Sequence, residues 1–441
     1  MLFEQLEPLS QEALKHLWSV LPQARLVGGV VRDLLAQRPI TDIDIATPQP
    51  PEEVIRLLQA AGIHVVPTGL QHGTVTAVIE GVPYEITTLR RDEETDGRHA
   101  RVCWTENWKE DALRRDFTIN TLSMDCNGVI YDYVGGQADL QAGVVRFVGD
   151  AETRIREDAL RILRYFRFYA RFNQCEHDLY HDLYHDSAVD AICHLSSLLC
   201  GLSVERIWSE FKRILCGPKV GETLRLMQQT GVLAYVLPEG FCLNRLENLL
   251  ALHTHMPSQI FSQPPYQPLL RLAAITEQPK HIVQRLKLSR EESRFVCAVS
   301  KEFSQKEKEA LTYSVLHIRE NALRALFSQE SKEILEGRLW LAQCDDDYAV
   351  TQQDREAKKR GDEIKNDFCH AITQLVTMEK PQFPVAGRDV IAVGKISGPD
   401  VGLLLERVRQ WWCAGGCWAD RTACLQKLEA FVQQDKHEKP I

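Results

Sequence analysis

No run of about 18 uninterrupted apolar residues occurs in the 441-residue sequence, which excludes a membrane-spanning helix and with it a membrane partner. Proline and glycine are few, at 19 and 25 residues, and hydrophobic side chains make up 44%. Disordered, collagen-like and low-complexity classes therefore fall away together. Positive charge is not in excess either. With 61 acidic and 52 basic side chains the net charge is −9, which argues against a protein that holds nucleic acid by charge over its whole surface. A phosphate partner must then meet local basic patches. The opening Met1-Leu2-Phe3-Glu4-Gln5 lacks a basic leader and a signal-type apolar core, so the 13 cysteines are expected to be reduced thiols of a cytoplasmic protein.

A chain of this length implies roughly two to four domains. The first third alternates helical and strand-like patterns: a helix from Ser10 to Leu21, a strand from Arg25 to Val27, a helix from Val30 to Ala36 and a strand from Ile40 to Ala46. From Gly73 to Leu89, β-branched and aromatic residues flank Glu80-Gly81, which reads as a hairpin. A second strand pair is expected within Asn120 to Tyr133, turning at Asn127-Gly128. Beyond about Ala151 strand signals nearly vanish and the 3.6-residue period takes over. The fold class is therefore α+β, a mixed-sheet head followed by helices. Candidate joints are Ser262 to Pro268 and Lys380 to Pro384, and the charged run Gln352 to Asp367 reads as a solvated helix face.

Chemistry concentrates in the head. In Val27-Gly28-Gly29-Val30-Val31-Arg32-Asp33 a glycine pair joins strand to helix, either as an ordinary tight turn or as a place where bare backbone approaches a phosphate, with Arg32 adding charge. Asp42 and Asp44 follow two residues apart, a spacing that points both carboxylates the same way on a strand. Aligned acids repel unless a cation lies between them, and hard oxygen ligands suit Mg2+ bound together with nucleotide phosphates. Glu85, among apolar and β-branched neighbours, is either a third acid of that site or an exposed edge residue. Three such carboxylates could serve a two-metal phosphoryl or nucleotidyl transfer.

These segments, with Arg114-Arg115-Asp116-Phe117-Thr118-Ile119-Asn120, resemble the class II tRNA nucleotidyltransferases, the CCA-adding enzymes of the polymerase-β-like superfamily. The similarity extends to Tyr131-Asp132-Tyr133-Val134-Gly135-Gly136 with Asp139-Leu140, and to Glu157-Asp158-Ala159-Leu160-Arg161. It implies a nucleotidyltransferase head at 1–150, a helical neck at 151–215, a body at 216–330 and a tRNA-contacting tail at 331–441. It also implies that Arg114 and Arg115 border the nucleotide, that Asp116 and Asn120 read the ribose, and that Asp158 and Arg161 select CTP and ATP while Glu157 steadies them.

On sequence alone Asp158 and Arg161 share a helix face and could equally form a salt bridge. Arg164, Arg167 and Arg171 continue a basic stripe towards which an RNA end could come. Gly69-Leu70-Gln71-His72-Gly73-Thr74-Val75 resembles the CCA-adding group rather than the poly(A) polymerases. The polar loop from Arg91 to Thr105, with Thr95-Asp96-Gly97-Arg98-His99, resembles the flexible loop needed for adding adenosine. Looser similarity at Arg285 to Ser289 and Gly398 to Gly402 implies a helical body and tail.

The expected activity is addition of C, C and A to tRNA from CTP and ATP. A poly(A) polymerase and an inactive RNA-binding relative are the rivals, and the oligomeric state is open. The repeat at His177, His181 and His185 is either a polar face or a metal stripe, Cys413-x-x-x-Cys417 is weak as a metal site, and Trp411 and Trp412 are expected to serve packing more than base stacking.

Overall fold

The computed structural model describes residues 2–40, 42–95, 100–173, 187–255, 267–312, 316–345, 371–394 and 398–438. The histidine repeat, the charged run 352–367, residues 96–99 and most of 262–268 lie outside the described residues. Two compact units divide the chain, Met1–Pro238 and Glu239–Ile441.

In the first unit the order is α1 (Pro8–Val20), β1 (Arg25–Val27), α2 (Gly29–Leu35), β2 (Asp44–Thr47), α3 (Pro51–Ala60), β3 (His64–Gly69), β4 (Thr74–Ile79) and β5 (Val82–Thr88). Then come β6 (Arg90–Thr95), β7 (Ala100–Trp104), α4 (Trp108–Leu113), β8 (Ser123–Met124), β9 (Ile130–Tyr131), α5 (Gly136–Ala142), α6 (Ala151–Glu157) and α7 (Leu160–Phe172). Seven strands form one mixed sheet in the order β3-β4-β5-β2-β1-β8-β9. Within it β2 runs parallel to β5 and every other pairing is antiparallel. The β4–β5 hairpin turns at Glu80 (φ 52°) and Gly81 (φ 81°), the pair of positive φ values a two-residue primed turn requires.

Three sequence expectations are corrected in detail. The strand expected from Ile40 begins only at Asp44, and on its β1 side the partner is three residues long and ends at the glycine turn. Asn120 is in a 3-10 turn, and the strand pair after it has two residues on each side. The segment expected as a polar loop from Arg91 to Thr105 is largely the β6–β7 ribbon. Arg-Arg-Asp-Glu-Glu-Thr contains no apolar residue, so it shows none of the alternation by which a half-buried strand is recognised.

An aromatic cluster ties the sheet side to the helices. Phe117 packs on Phe147 (ring centroids 4.9 Å apart) and on Phe168 of α7 (5.4 Å), with Tyr165 stacked on Phe147. Gly136 lets α5 dock closely, since a Cβ there would lie 2.2 Å from the carbonyl oxygen of Thr118. Asp132 stops the preceding strand and starts this helix. Its Oδ1 accepts the N–H groups of Val134 (3.2 Å), Gly135 and Gly136 (both 2.9 Å), and its Oδ2 accepts that of Gln137 (2.9 Å).

Partial burial would raise the Asp132 pKa, but the four N–H donors outweigh it and hold the group below the usual carboxylate range. Its stabilisation is therefore fully present above that range and fades as the pH falls through the lower folded value. Asp132→Asn is expected to lose about 1–2 kcal/mol at neutral pH in urea unfolding, with the gap to the parent closing below about pH 4. A gap constant down to pH 3 would contradict the charge-assisted cap.

The second unit is helical through its described residues, apart from a bridge between Phe241 and Thr276. Ser289 and Glu292 form a reciprocal capping box at the helix Arg290–Val299. Lys380 to Pro384 is an irregular connection before the helix Gly387–Gly394. Trp412 is buried among Val385, Val390, Leu404, Val408 and Leu428, and its indole N–H donates to the carbonyl of Ala419 (2.9 Å). Trp411 is partly buried against the same cluster. Both tryptophans thus serve packing.

Candidate active site

The acids meet at the end of β2. Asp44, its first residue, stands in register with Glu85 of the parallel neighbour β5, and Asp42 lies two residues upstream, outside the strand. The Asp44 carboxyl is pushed up by burial and by the nearby Glu85 charge, with Asp42 adding to the shift and Arg115 opposing it. The site is thus an all-oxygen donor set under mutual repulsion, the condition that a hard divalent cation relieves. Among the described residues no group of three acids, histidines or cysteines could hold a metal unaided.

A cavity of about 530 Å³ is lined by Asp42 and Asp44 together with Arg32, Arg167, Arg171 and Arg213. Acids and basic stripe thus face one space, large enough for part of a nucleotide or an RNA end.

The glycine turn is set by backbone need. Gly28 has φ 68° and ψ −118°, and a Cβ there would sit 2.8 Å from Arg115 Nη1, so the arginine lies against bare backbone. Arg115 also donates to the carbonyl of Asn120 (3.2 Å). Arg114 and Arg115 are both held by Asp111, a buried carboxylate at the preceding helix turn. Oδ1 accepts from Arg114 (2.7 and 2.9 Å) and Oδ2 from Arg115 (3.2 and 3.3 Å). Burial would raise the Asp111 pKa, but Arg115 and Arg114 reverse the shift and keep it lowered. Asp111 stands in no recognised motif, yet its spacing of three and four residues before the arginines is a legible helical signal.

Asp116 and Asn120 form one buried unit. Asp116 Oδ1 accepts from the Asn120 amide (3.0 Å) and the N–H of Phe117 (2.9 Å), while Oδ2 accepts from Arg164 at 2.5 and 2.6 Å. Burial alone would raise this pKa, but Arg164 and the Asn120 amide bring it below the ordinary value. Arg32 belongs to the same unit. It is 6% exposed and donates to Asp33 and to Asn120 Oδ1 (2.5 Å), with Phe168 and Phe172 against its guanidinium. These partners satisfy its charge and fix Asn120, while its Nη2 lies 3.6 Å from where a Cβ of Gly29 would stand, so Arg32 and Arg115 both border the glycine turn.

Asp158 and Arg161 do not share a continuous helix. Asp158 ends α6 in an extended conformation (φ −154°, ψ 105°), and α7 begins at Leu160. In that break Asp158 Oδ1 accepts the N–H of Leu160 (3.1 Å) and Oδ2 accepts from Arg206 (2.7 Å). Arg161 Nη1 donates to Glu157 (2.6 Å) and to the carbonyl of Arg154 (3.0 Å), and Nη2 reaches the carbonyl of Arg114 (3.3 Å). Arg161 thus bridges α7 to the segment that carries Arg114 and Arg115.

An acid cluster at a strand start, an arginine pair over a glycine turn and a helical face opposite define the class: a nucleotidyltransferase. The Poly A polymerase head domain matches residues 24–146, and the probable RNA and SrmB-binding site of polymerase A matches residues 185–242. The mitochondrial CCA tRNA nucleotidyltransferase 1 of Mus musculus is 34% identical over 433 residues, covering 96% of this chain and 91% of its own. A CCA-adding enzyme of Geobacillus thermodenitrificans is 40% identical over 219 residues, 48% of this chain and 50% of its own. The crystal structure of the Bacillus stearothermophilus CCA-adding enzyme in complex with CTP superposes with a TM-score of 0.70 at 26% identity, covering 98% of this chain and 100% of that one. The chain belongs to the CCA tRNA nucleotidyltransferase family, the CCA-adding enzymes.

Proposed function

We propose that this enzyme adds C, C and A in turn to the 3′ end of tRNA, using CTP and ATP, releasing pyrophosphate and needing no nucleic-acid template. The observation that carries the reading is the register of Asp44 with Glu85, beside Asp42, with Asp42 and Asp44 lining the same cavity as Arg167, Arg171 and Arg213. Similarity along nearly the whole chain to CCA-adding proteins supports the substrate.

The terminal ribose hydroxyl attacks the α-phosphorus, a new P–O bond forms and the bond to pyrophosphate breaks. Bound divalent cations, which we propose are Mg2+ on Asp42 and Asp44 with Glu85 flanking, supply activation of the hydroxyl and neutralisation of the leaving oxygens. Arg114 and Arg115, locked by Asp111, receive the phosphates beside the bare backbone of Gly28 and Gly29. Asp116 and Asn120, steadied by Arg164 and Arg32, hydrogen-bond the ribose hydroxyls.

Asp158 offers an acceptor and Arg161 donors to the base edge, with Glu157 steadying Arg161. Cytosine and adenine both present an amino donor at that edge, whereas uracil and guanine present a carbonyl, which meets the Asp158 acceptor unfavourably.

The deciding experiment incubates the purified protein with tRNA lacking its 3′ terminus and sequences the ends. Two cytidines from CTP, one adenosine from ATP and then a stop are expected. A long adenosine tail would make the protein a poly(A) polymerase, and tRNA binding without addition would make it an RNA-binding relative. No described helix is long and apolar enough to cross a membrane. We propose a cytoplasmic location, supported by eleven described cysteines that are all free. The named mouse and human relatives are mitochondrial, so organelle fractionation is the test.

A further inference from the structure

We propose that Arg206 is a positioning residue for base selection: it holds Asp158 away from Arg161, so that acceptor and donor stay available to the incoming base. The proposal rests on the reading of Asp158 and Arg161 as the base-selecting pair, and adds a residue on a different helix that carries none of the motifs in the head or the neck turn.

An acid and an arginine three residues apart attract one another, and if they paired, each would occupy the group the other needs to offer a nucleobase. Among the described residues no ion pair joins them. Two outside partners intervene instead. Glu157 takes Arg161 Nη1 at 2.6 Å, and Arg206, near the start of the helix Val204–Cys216, takes Asp158 Oδ2 at 2.7 Å. The N–H of Leu160 occupies Oδ1 at 3.1 Å, so each carboxylate oxygen has one fixed donor and keeps acceptor capacity for one more. Two contacts on two oxygens leave the carboxylate little freedom to rotate. Both members of the Arg206–Asp158 pair keep about a third or less of their side-chain exposure, 33% and 27%, so the pair lies at an accessible edge and not in the core.

The same helix grips the ribose side. Glu210, one turn beyond Arg206, is 4% exposed and accepts from Arg167 (2.7 Å) and Arg213 (3.1 Å), with Arg164 at 3.8 Å. Arg164 in turn holds Asp116. Buried by three arginines, Glu210 anchors the helix, and that anchorage gives Arg206 a fixed origin from which to hold Asp158. A surface ion pair adds little to stability, so the expected loss lies in selectivity and not in folding.

The test compares Arg206→Met, Arg206→Lys, Asp158→Ala and the double variant Asp158→Ala/Arg206→Met in single-nucleotide addition with CTP and UTP in competition. Arg206→Met frees Asp158 to pair with Arg161, and the CTP-over-UTP ratio of kcat/KM is expected to fall about tenfold, with the KM for tRNA changing less than about twofold. Arg206→Lys, which keeps the charge, should recover part of the ratio. The double variant should match Asp158→Ala alone, because Arg206 acts through that carboxylate.

An unchanged ratio in Arg206→Met, or a further fall in the double variant, overturns the proposal, the latter showing that Arg206 acts by another route. A melting transition for each variant separates this from misfolding. If Arg206→Met does not fold, an unaltered ratio in Arg206→Lys overturns the proposal and a smaller fall supports it. Should Asp158→Ala itself keep the parental ratio, the base-selection reading fails; should it lose the ratio while Arg206→Met keeps it, only the role of Arg206 fails.

Discussion

Asp42→Ala and Asp44→Ala are each expected to slow addition of C, C and A alike by about four orders of magnitude or more, the effect of losing several kcal/mol of transition-state charge stabilisation. Equality across the three steps is the diagnostic part, because every step breaks the same phosphoanhydride bond whichever base is carried. Folding should be unharmed or slightly improved. Asp44 is under electrostatic repulsion from Glu85 and Asp42 in the protein alone, so removing one carboxylate relieves strain that the fold otherwise carries. tRNA affinity should change little, since we propose that the arginine stripe and not the acids holds the RNA. A rate series for each nucleotide with thermal melting and a filter-binding titration checks all three points. Near-normal turnover in either variant would remove these aspartates from the chemistry.

The sequence carried the parts of this site that depend on neighbours along the chain. The glycine pair between a strand and a helix, the close aspartates and the double arginine are local patterns, and the structure places Gly28, Asp44 and Arg115 within reach of one another. Glu85 was legible only as an acid on a strand. Its position beside Asp44 depends on β2 and β5 running parallel, a pairing between segments forty residues apart that no local period records.

Other functional neighbours were hidden for related reasons. Arg32 reads as charge added at the glycine turn, but the sequence shows nothing of the rings of Phe168 and Phe172 or the Asn120 amide that hold its guanidinium there. Asp158 and Arg161 have helical spacing, but the chain breaks between α6 and α7, which turns the pair away from each other and towards Arg206 and Glu157. Helical period cannot reveal a two-residue break that Asp158 itself stabilises by accepting the N–H of Leu160.

The β6–β7 ribbon supplies the second large effect. Shortening its tip by removing Asp96 to His99, which lie outside the described residues, is expected to leave both cytidine additions near their parental rates. Adenosine addition should slow by about two orders of magnitude, the scale of a small misplacement of reacting groups. The ribbon's base is firmly tied: the N–H of Arg90 reaches Asp111 (3.3 Å), the N–H of Thr105 reaches the carbonyl of Leu89 (3.0 Å), and the Thr105 hydroxyl reaches Glu110 (2.7 Å). The ring of Trp104 lies over Gly73, where a Cβ would come within 2.5 Å of it. These ties lie outside the deletion and keep Asp111 in place, so the phosphate contacts proposed for Arg114 and Arg115 should persist, and the proposed metal and phosphate contacts are common to the C and A steps. What the deletion removes is the stretch between β6 and β7, while the ties at Arg90 and Thr105 stay in place. If the pocket must change shape between a cytosine and the larger adenine, the loss falls on the adenosine step alone. Equal slowing of C and A in single-turnover assays would show instead that the shortened ribbon disturbs the arginines through Asp111, and that its tip has no part in choosing the base.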